Sequence, residues 1–217
     1  LNTLASFTKA VETGMNGVEL DVQYSADKQL VVFHDWDLKT LNGSDKIIEK
    51  MPYSEIEKIS LHDDNNNKIP LFREVLNVLS KKCIIVVEIK SVHFLNAGIE
   101  KNVLEIVKEF NFEENCIISS FNPLILWRIR KLNPNILTAF LWSKTDPQFS
   151  LNSPLWVWLC RPHAFHADIE HLDENLMSWI HRKKMSVLTF TVKTSSDLSK
   201  AKHLGVDGII MDDPYLN

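Results

Sequence analysis

Apolar residues recur along this chain in two rhythms. A helical spacing over 3–13 predicts an opening helix, with Asn2 as its N-cap and Gly14 as its stop. Segment 18–23 alternates polar and apolar residues, as a strand does. A turn at Ala26-Asp27-Lys28 and an apolar run at 30–33 follow, and the two strands predict a hairpin. Segment 35–67 is polar and rich in turn residues, with one helical stretch at 53–58. It reads as a small insertion, occupying 35–69, rather than as core. A helix is predicted over 70–79.

From there the rhythm is regular. Apolar runs at 83–89, 116–120, 136–142, 164–168, 186–192 and 208–211 predict strands. Helical patterns over 97–110, 123–131, 174–184 and 195–203 lie between most of them. With 18–23 this makes seven strands of the βα type. Such alternation predicts an α/β fold with parallel strands. No Gly-x-Gly-x-x-Gly follows a strand, which lowers the case for a dinucleotide-binding sheet. An eight-stranded α/β barrel fits best, as a single domain over 1–217. Its first strand is then expected upstream of residue 1, because a barrel short of a strand exposes an unpaired edge. Residue 1 is Leu rather than Met.

Composition narrows the function classes. The 24 basic and 28 acidic residues give a net charge of -4. The one basic cluster is Arg182-Lys183-Lys184, so no nucleic-acid partner is expected. No apolar run approaches the ~20 residues of a membrane helix. No targeting segment is in view, so a cytoplasmic location is expected, with secretion left open. Cys83, Cys116 and Cys160 are widely spaced and odd in number, and buried free thiols are expected.

In an α/β barrel the chemistry sits at the C-terminal ends of the strands. Those ends carry Glu19 and Asp21, Glu88 and Lys90, Ser119 and Ser120, Trp142, His166 and Asp168, Thr191 and Lys193, and Asp212 and Asp213. Glu19 and Asp21 sit two apart and so share a face, and Glu88 and Lys90 do the same. Acids forced together repel and are costly to desolvate, and a divalent cation removes both problems. Hard oxygen donors suit Mg²⁺ or Ca²⁺, and Lys90 adds a second positive contact for an anionic substrate. His34 ends the next apolar run and offers a proton donor or acceptor. His62, His93, His171, His181 and His203 read as surface residues, and Asp212-Asp213-Pro214 as a turn. The apolar stretch 154–160, with Trp156 and Trp158, reads as packing under a loop or as a lip for a lipid chain.

The chain resembles the glycerophosphodiester phosphodiesterase family. The resemblance is carried by Asn2-Thr3-Leu4-Ala5-Ser6-Phe7, Gly17-Val18-Glu19-Leu20-Asp21-Val22, Val32-Phe33-His34-Asp35, Val87-Glu88-Ile89-Lys90, Ser119-Ser120-Phe121-Asn122-Pro123, Thr191-Val192 and Gly205-Val206-Asp207-Gly208-Ile209-Ile210-Met211-Asp212. It spans nearly the whole chain, and the Glu-Leu-Asp-Val and Phe-His-Asp pair is its most specific part. It implies a TIM (β/α)8 barrel with a small insertion after the His-Asp motif. It also implies a cation on Glu19, Asp21 and Glu88, a phosphate contact from Lys90, and His34 as one of two acid/base histidines. In this family the substrate's adjacent hydroxyl is thought to attack phosphorus, giving a cyclic phosphate that water opens.

Three departures stand out. The family's His-Arg-Gly is absent; His181-Arg182 lies in a predicted helix and is followed by Lys183. Leu1 stands where Glu is usual. Phe190 stands where Trp is common, keeping an apolar wall for substrate, and Lys193 replaces a usual Asn. The implied activity is metal-dependent hydrolysis of a glycerophosphodiester to glycerol 3-phosphate and an alcohol. The alternatives are a lysophospholipase D acting on acylated lipids, or a non-catalytic homologue that keeps the metal and phosphate site.

Overall fold

The computed structural model describes residues 2–61, 67–79, 83–91, 98–145 and 156–216. The chain divides into two compact units, Leu1–Cys116 and Ile117–Asn217.

The first unit opens with α1 (Leu4–Glu12). Its N-cap is Thr3, not Asn2. Thr3 has extended backbone, and its hydroxyl accepts from the Ser6 amide at 3.1 Å while the Ser6 hydroxyl accepts from the Thr3 amide at 3.1 Å. Asn2 instead has a φ of 58°, a left-handed backbone that asparagine tolerates better than most residues. Strand β1 (Gly17–Tyr24) pairs antiparallel with β2 (Leu30–Val32), the expected hairpin. The short elements β3 (Asp37–Leu38), α2 (Lys39–Asn42), β4 (Ser44–Ile47) and α3 (Tyr53–Ile56) follow, then α4 (Phe72–Val78). Strand β5 (Ile84–Ile89) lies parallel to β1, and α5 (Ile99–Glu109) comes after it. Gly17 is required at the start of β1, because a Cβ there would lie 2.6 Å from the Ile84 carbonyl oxygen.

The segment after His34 is more ordered than its polarity predicts. β3 and β4 form a small antiparallel ribbon. Leu38, Ile48, Met51, Ile56, Leu61 and Ile69 pack with Val31 and Phe33 into an apolar cluster of their own. These residues are widely spaced in a polar stretch, so no period reveals them. Asp27 pins the segment, accepting from the Ser25 hydroxyl at 2.6 Å and the Tyr53 amide at 2.9 Å, and these bonds lower its pKa.

The second unit repeats strand and helix, with short links except between β7 and α7. It runs β6 (Cys116–Ser120), α6 (Pro123–Leu132), β7 (Leu137–Trp142), α7 (Val157–Cys160), β8 (Ala164–Asp168), α8 (Glu174–Arg182), β9 (Ser186–Val192), α9 (Ser195–Leu204) and β10 (Gly208–Met211). The strands are parallel, in sequence order from β6 to β10. Each long helix starts on a side-chain cap: Asn122 for α6, Asp173 for α8 and Thr194 for α9. A core cluster that includes Leu126, Phe140, Phe165, Met177 and Val187 joins helices α6 and α8 to the strands. Cys83, Cys116 and Cys160 are buried and free, as expected, and burial raises the Cys160 thiol pKa to about 12.

Candidate active site

The first unit brings the predicted acids together. In the β1–β5 register Asp21 stands opposite Glu88, and Glu19 opposite Val86. Alternation sends Glu19 and Asp21 to one face of β1, while Leu20 and Val22 are wholly buried on the other. One carboxylate oxygen from each of Glu19, Asp21 and Glu88 lies within 4.8 Å of the other two. Ligands 2.3–2.6 Å from Ca²⁺ stand at most about 5 Å apart, so these donors fit that ion as they stand; Mg²⁺, at about 2.0–2.1 Å, needs them within about 4.2 Å. Their chemistry fits as well, being all hard oxygen.

Lys90 follows β5, and its amide donates to the Val22 carbonyl at 2.9 Å, extending the ladder by one residue. Its ammonium is 3.6 Å from Asp21 Oδ1 and 3.7 Å from Glu88 Oε1. It also sits 5.5 Å from the centre of the Trp36 ring. Burial is the largest influence on Lys90 and pulls its pKa down. Glu88, Asp21 and Glu19 together outweigh burial, and the net shift is upward. One ammonium thus faces three carboxylates in a largely buried place.

The other oxygen of Asp21 is also assigned. Asn2 donates its side-chain N–H to Asp21 Oδ2 at 2.8 Å. The helical spacing predicts Asn2 as a cap, whereas it makes this contact between residues 19 apart in the chain, which no local pattern signals.

His34 lies just beyond β2, with its Nδ1 2.7 Å from Asp35 Oδ1 and its side chain 69% exposed. The preceding Phe33 amide donates to the Asp21 carbonyl at 3.1 Å, which ties the histidine segment to the strand of acids. Gln23, third on the face that carries Glu19 and Asp21, donates to the carbonyls of Phe33 and Asp35. The alternating polar positions 19, 21 and 23 carried the signal for it; nothing local pointed to Trp36.

The other predicted positions fall in the second unit. Phe190 packs edge-to-face on Phe121, with ring centres 6.1 Å apart. Asp168, at the end of β8, accepts from the Ser143 hydroxyl at 2.8 Å and lies 3.4 Å from His171 Nδ1. His171, expected at the surface, is therefore half-buried; its ring also meets Trp142 edge-on. His166 is wholly buried, neither ring nitrogen has a hydrogen-bond partner among the described residues, and burial lowers its pKa to about 3. His181 and His203 are exposed, as expected, and His62 and His93 lie outside the described residues. Asp213 accepts from the Tyr215 amide at 2.9 Å in the predicted turn.

In the apolar stretch, 154–155 lie outside the described residues. Val157 and Cys160 join the core cluster with Trp156 against them, whereas Trp158 is 80% exposed. α7 runs into the N-terminal end of β8, where the His163 amide donates to the Thr138 carbonyl. Trp158 is thus on the approach to the strand end opposite Asp168. Among the described residues, no helix is long and apolar enough to cross a membrane.

The profile of the Glycerophosphoryl diester phosphodiesterase family matches residues 1–216. The glycerophosphodiester phosphodiesterase of Caldanaerobacter subterraneus subsp. tengcongensis is 33% identical over 221 residues, which cover 98% of this chain and 88% of that protein. A glycerophosphodiester phosphodiesterase structure from Thermotoga maritima is 31% identical, with a TM-score of 0.77 over 97% of this chain and 88% of the other. A phosphodiesterase structure from Oleispira antarctica, in complex with the product sn-glycerol-3-phosphate, is 25% identical, with a TM-score of 0.85 over 98% of this chain and 87% of the other. The fold is the TIM-barrel-like α/β fold of these structures, as the strand–helix rhythm predicts. The chain belongs to the glycerophosphoryl diester phosphodiesterase family of phosphoric diester hydrolases.

Proposed function

We propose that the chain hydrolyses glycerophosphodiesters to glycerol 3-phosphate and an alcohol, using Ca²⁺ or Mg²⁺ held by Glu19, Asp21 and Glu88. One observation carries the reading: three carboxylate oxygens from adjacent parallel strands lie within 4.8 Å of one another, with one lysine among them. Like charges so close favour a cation strongly. The product named in the Oleispira antarctica structure supports the choice of substrate.

The cation supplies Lewis acidity that offsets charge on the phosphoryl oxygens. Lys90, whose ammonium lies 3.6 Å from Asp21 and 3.7 Å from Glu88, binds a phosphoryl oxygen beside the cation-holding acids. The substrate's adjacent hydroxyl gives its proton to solvent water as it forms the new O–P bond; an intramolecular nucleophile has a large effective concentration. The bond from phosphorus to the leaving oxygen breaks, and protonated His34 gives its proton to the departing alkoxide. Water then forms an O–P bond while giving a proton to the now neutral His34, and the ring P–O bond breaks as its oxygen takes a proton from solvent, leaving glycerol 3-phosphate.

The test is a substrate panel with product identification. Purified protein with Ca²⁺ or Mg²⁺ should convert glycerophosphocholine to choline and glycerol 3-phosphate, faster than it cleaves lysophosphatidylcholine. Faster cleavage of the acylated substrate would replace this reading with lysophospholipase D activity. No turnover of either substrate with any cation would remove the catalytic reading.

A further inference from the structure

Gln23 leaves β1 on the same face as Glu19 and Asp21, two residues further on. It donates 2.8 Å to the Phe33 carbonyl and 2.9 Å to the Asp35 carbonyl. Those carbonyls stand on either side of His34. A primary amide has two N–H donors, and both are used here. The amide has one sensible orientation, since the reverse would set its oxygen against two carbonyl oxygens. The side chain is 2% exposed, so water does not compete for these bonds.

The place of this clamp matters. The β1–β2 ladder runs from Tyr24↔Leu30 to Val22↔Val32, and β2 ends there. Beyond Val32 the strand no longer dictates the path of the chain. The Phe33 amide takes the Asp21 carbonyl, and Gln23 takes the next two outward carbonyls that flank His34. The His34 ring is mostly exposed, so its direction depends on how firmly its backbone is held.

We propose that Gln23 is a positioning residue for the hydrolysis: by holding the carbonyls before and after His34, it fixes the backbone from which the imidazole reaches the leaving oxygen. The inference rests on the reading of His34 as the proton donor. A small misplacement of a catalytic group costs rate rather than binding. The effect of Gln23 therefore passes through kcat and disappears when His34 is gone.

A double-mutant cycle tests this. Gln23→Met, His34→Asn and the double variant are assayed on glycerophosphocholine at saturating cation, with melting temperature and cation affinity measured alongside. Gln23→Met should lower kcat roughly 10- to 100-fold with KM little changed. In the His34→Asn background the same change should cost nothing further. Equal losses in both backgrounds would make the clamp merely structural and overturn the inference. Wild-type kcat in His34→Asn would instead overturn the reading of His34, and this role with it. If Gln23→Met does not fold, Gln23→Asn keeps the amide but, one methylene shorter, withdraws it from the two carbonyls and serves in the same cycle.

Discussion

Lys90 and Asp21 come from adjacent parallel strands, and the lysine ammonium lies 3.6 Å from Asp21 Oδ1 while Asn2 takes Oδ2. Both oxygens of the most buried acid in the site are therefore held from either side. The side chains of Lys90 and Asp21 are 10% and 4% exposed, so water does little to screen the pair. Removing one partner of a buried ion pair costs about 3–5 kcal/mol, because the other charge stays behind. Lys90→Met should destabilise the chelated protein by about that amount, measured by urea unfolding. Millimolar Ca²⁺ or Mg²⁺ should restore most of the loss, since a cation replaces the missing charge.

Glu19→Gln should act in the opposite direction. It removes one of three like charges while leaving the two close contacts of Lys90 in place. The chelated variant should melt about 1–3 °C above the wild type. It should lose the further rise that cation gives the wild type, and lose activity. Differential scanning calorimetry with and without cation measures both.

His166 gives a pH prediction independent of the site acids. Its folded pKa of about 3 lies below the ordinary 6.5 because burial disfavours the imidazolium. Below pH 6.5 the unfolded chain takes up a proton that the folded chain refuses. Stability present above pH 6.5 is therefore lost as pH falls toward 3, at up to about 1.4 kcal/mol per pH unit. His166→Leu should flatten this part of the stability–pH curve and leave the slope above pH 7 unchanged. Denaturant midpoints between pH 4 and pH 8 provide the check.

The cluster behind the β3–β4 ribbon should couple stability to rate. Ile56 is wholly buried and packs with Phe33, whose carbonyl Gln23 holds. Ile56→Ala should cost about 2–5 kcal/mol. It should also lower kcat well below the unfolding temperature, because the cavity loosens the segment that carries His34. Unfolding curves and initial rates on one preparation measure the two effects together.

These predictions draw on features of unequal legibility. Glu19, Asp21, Glu88 and Lys90 stand out because strand alternation turns a two-residue spacing into a shared face, and the residues between them are apolar. The second unit is readable because its strands and helices alternate, with short links except between β7 and α7. The ribbon of β3 and β4 was not, since strands of two and four residues have no measurable period. Asn2 and Trp36 were invisible for another reason: each acts on a side chain distant in sequence, and only the fold brings the pairs together.

The central claim is that hydrolysis depends on a cation held by Glu19, Asp21 and Glu88. The direct measurement is the rate of glycerol 3-phosphate release from glycerophosphocholine by chelator-treated protein as Ca²⁺ or Mg²⁺ is added back, for wild type and Asp21→Asn. The wild type should be inactive under chelator and recover saturably with cation. Asp21→Asn, though folded, should not recover at the same concentrations. Full turnover of the wild type in excess chelator, or equal recovery of Asp21→Asn, would contradict the account.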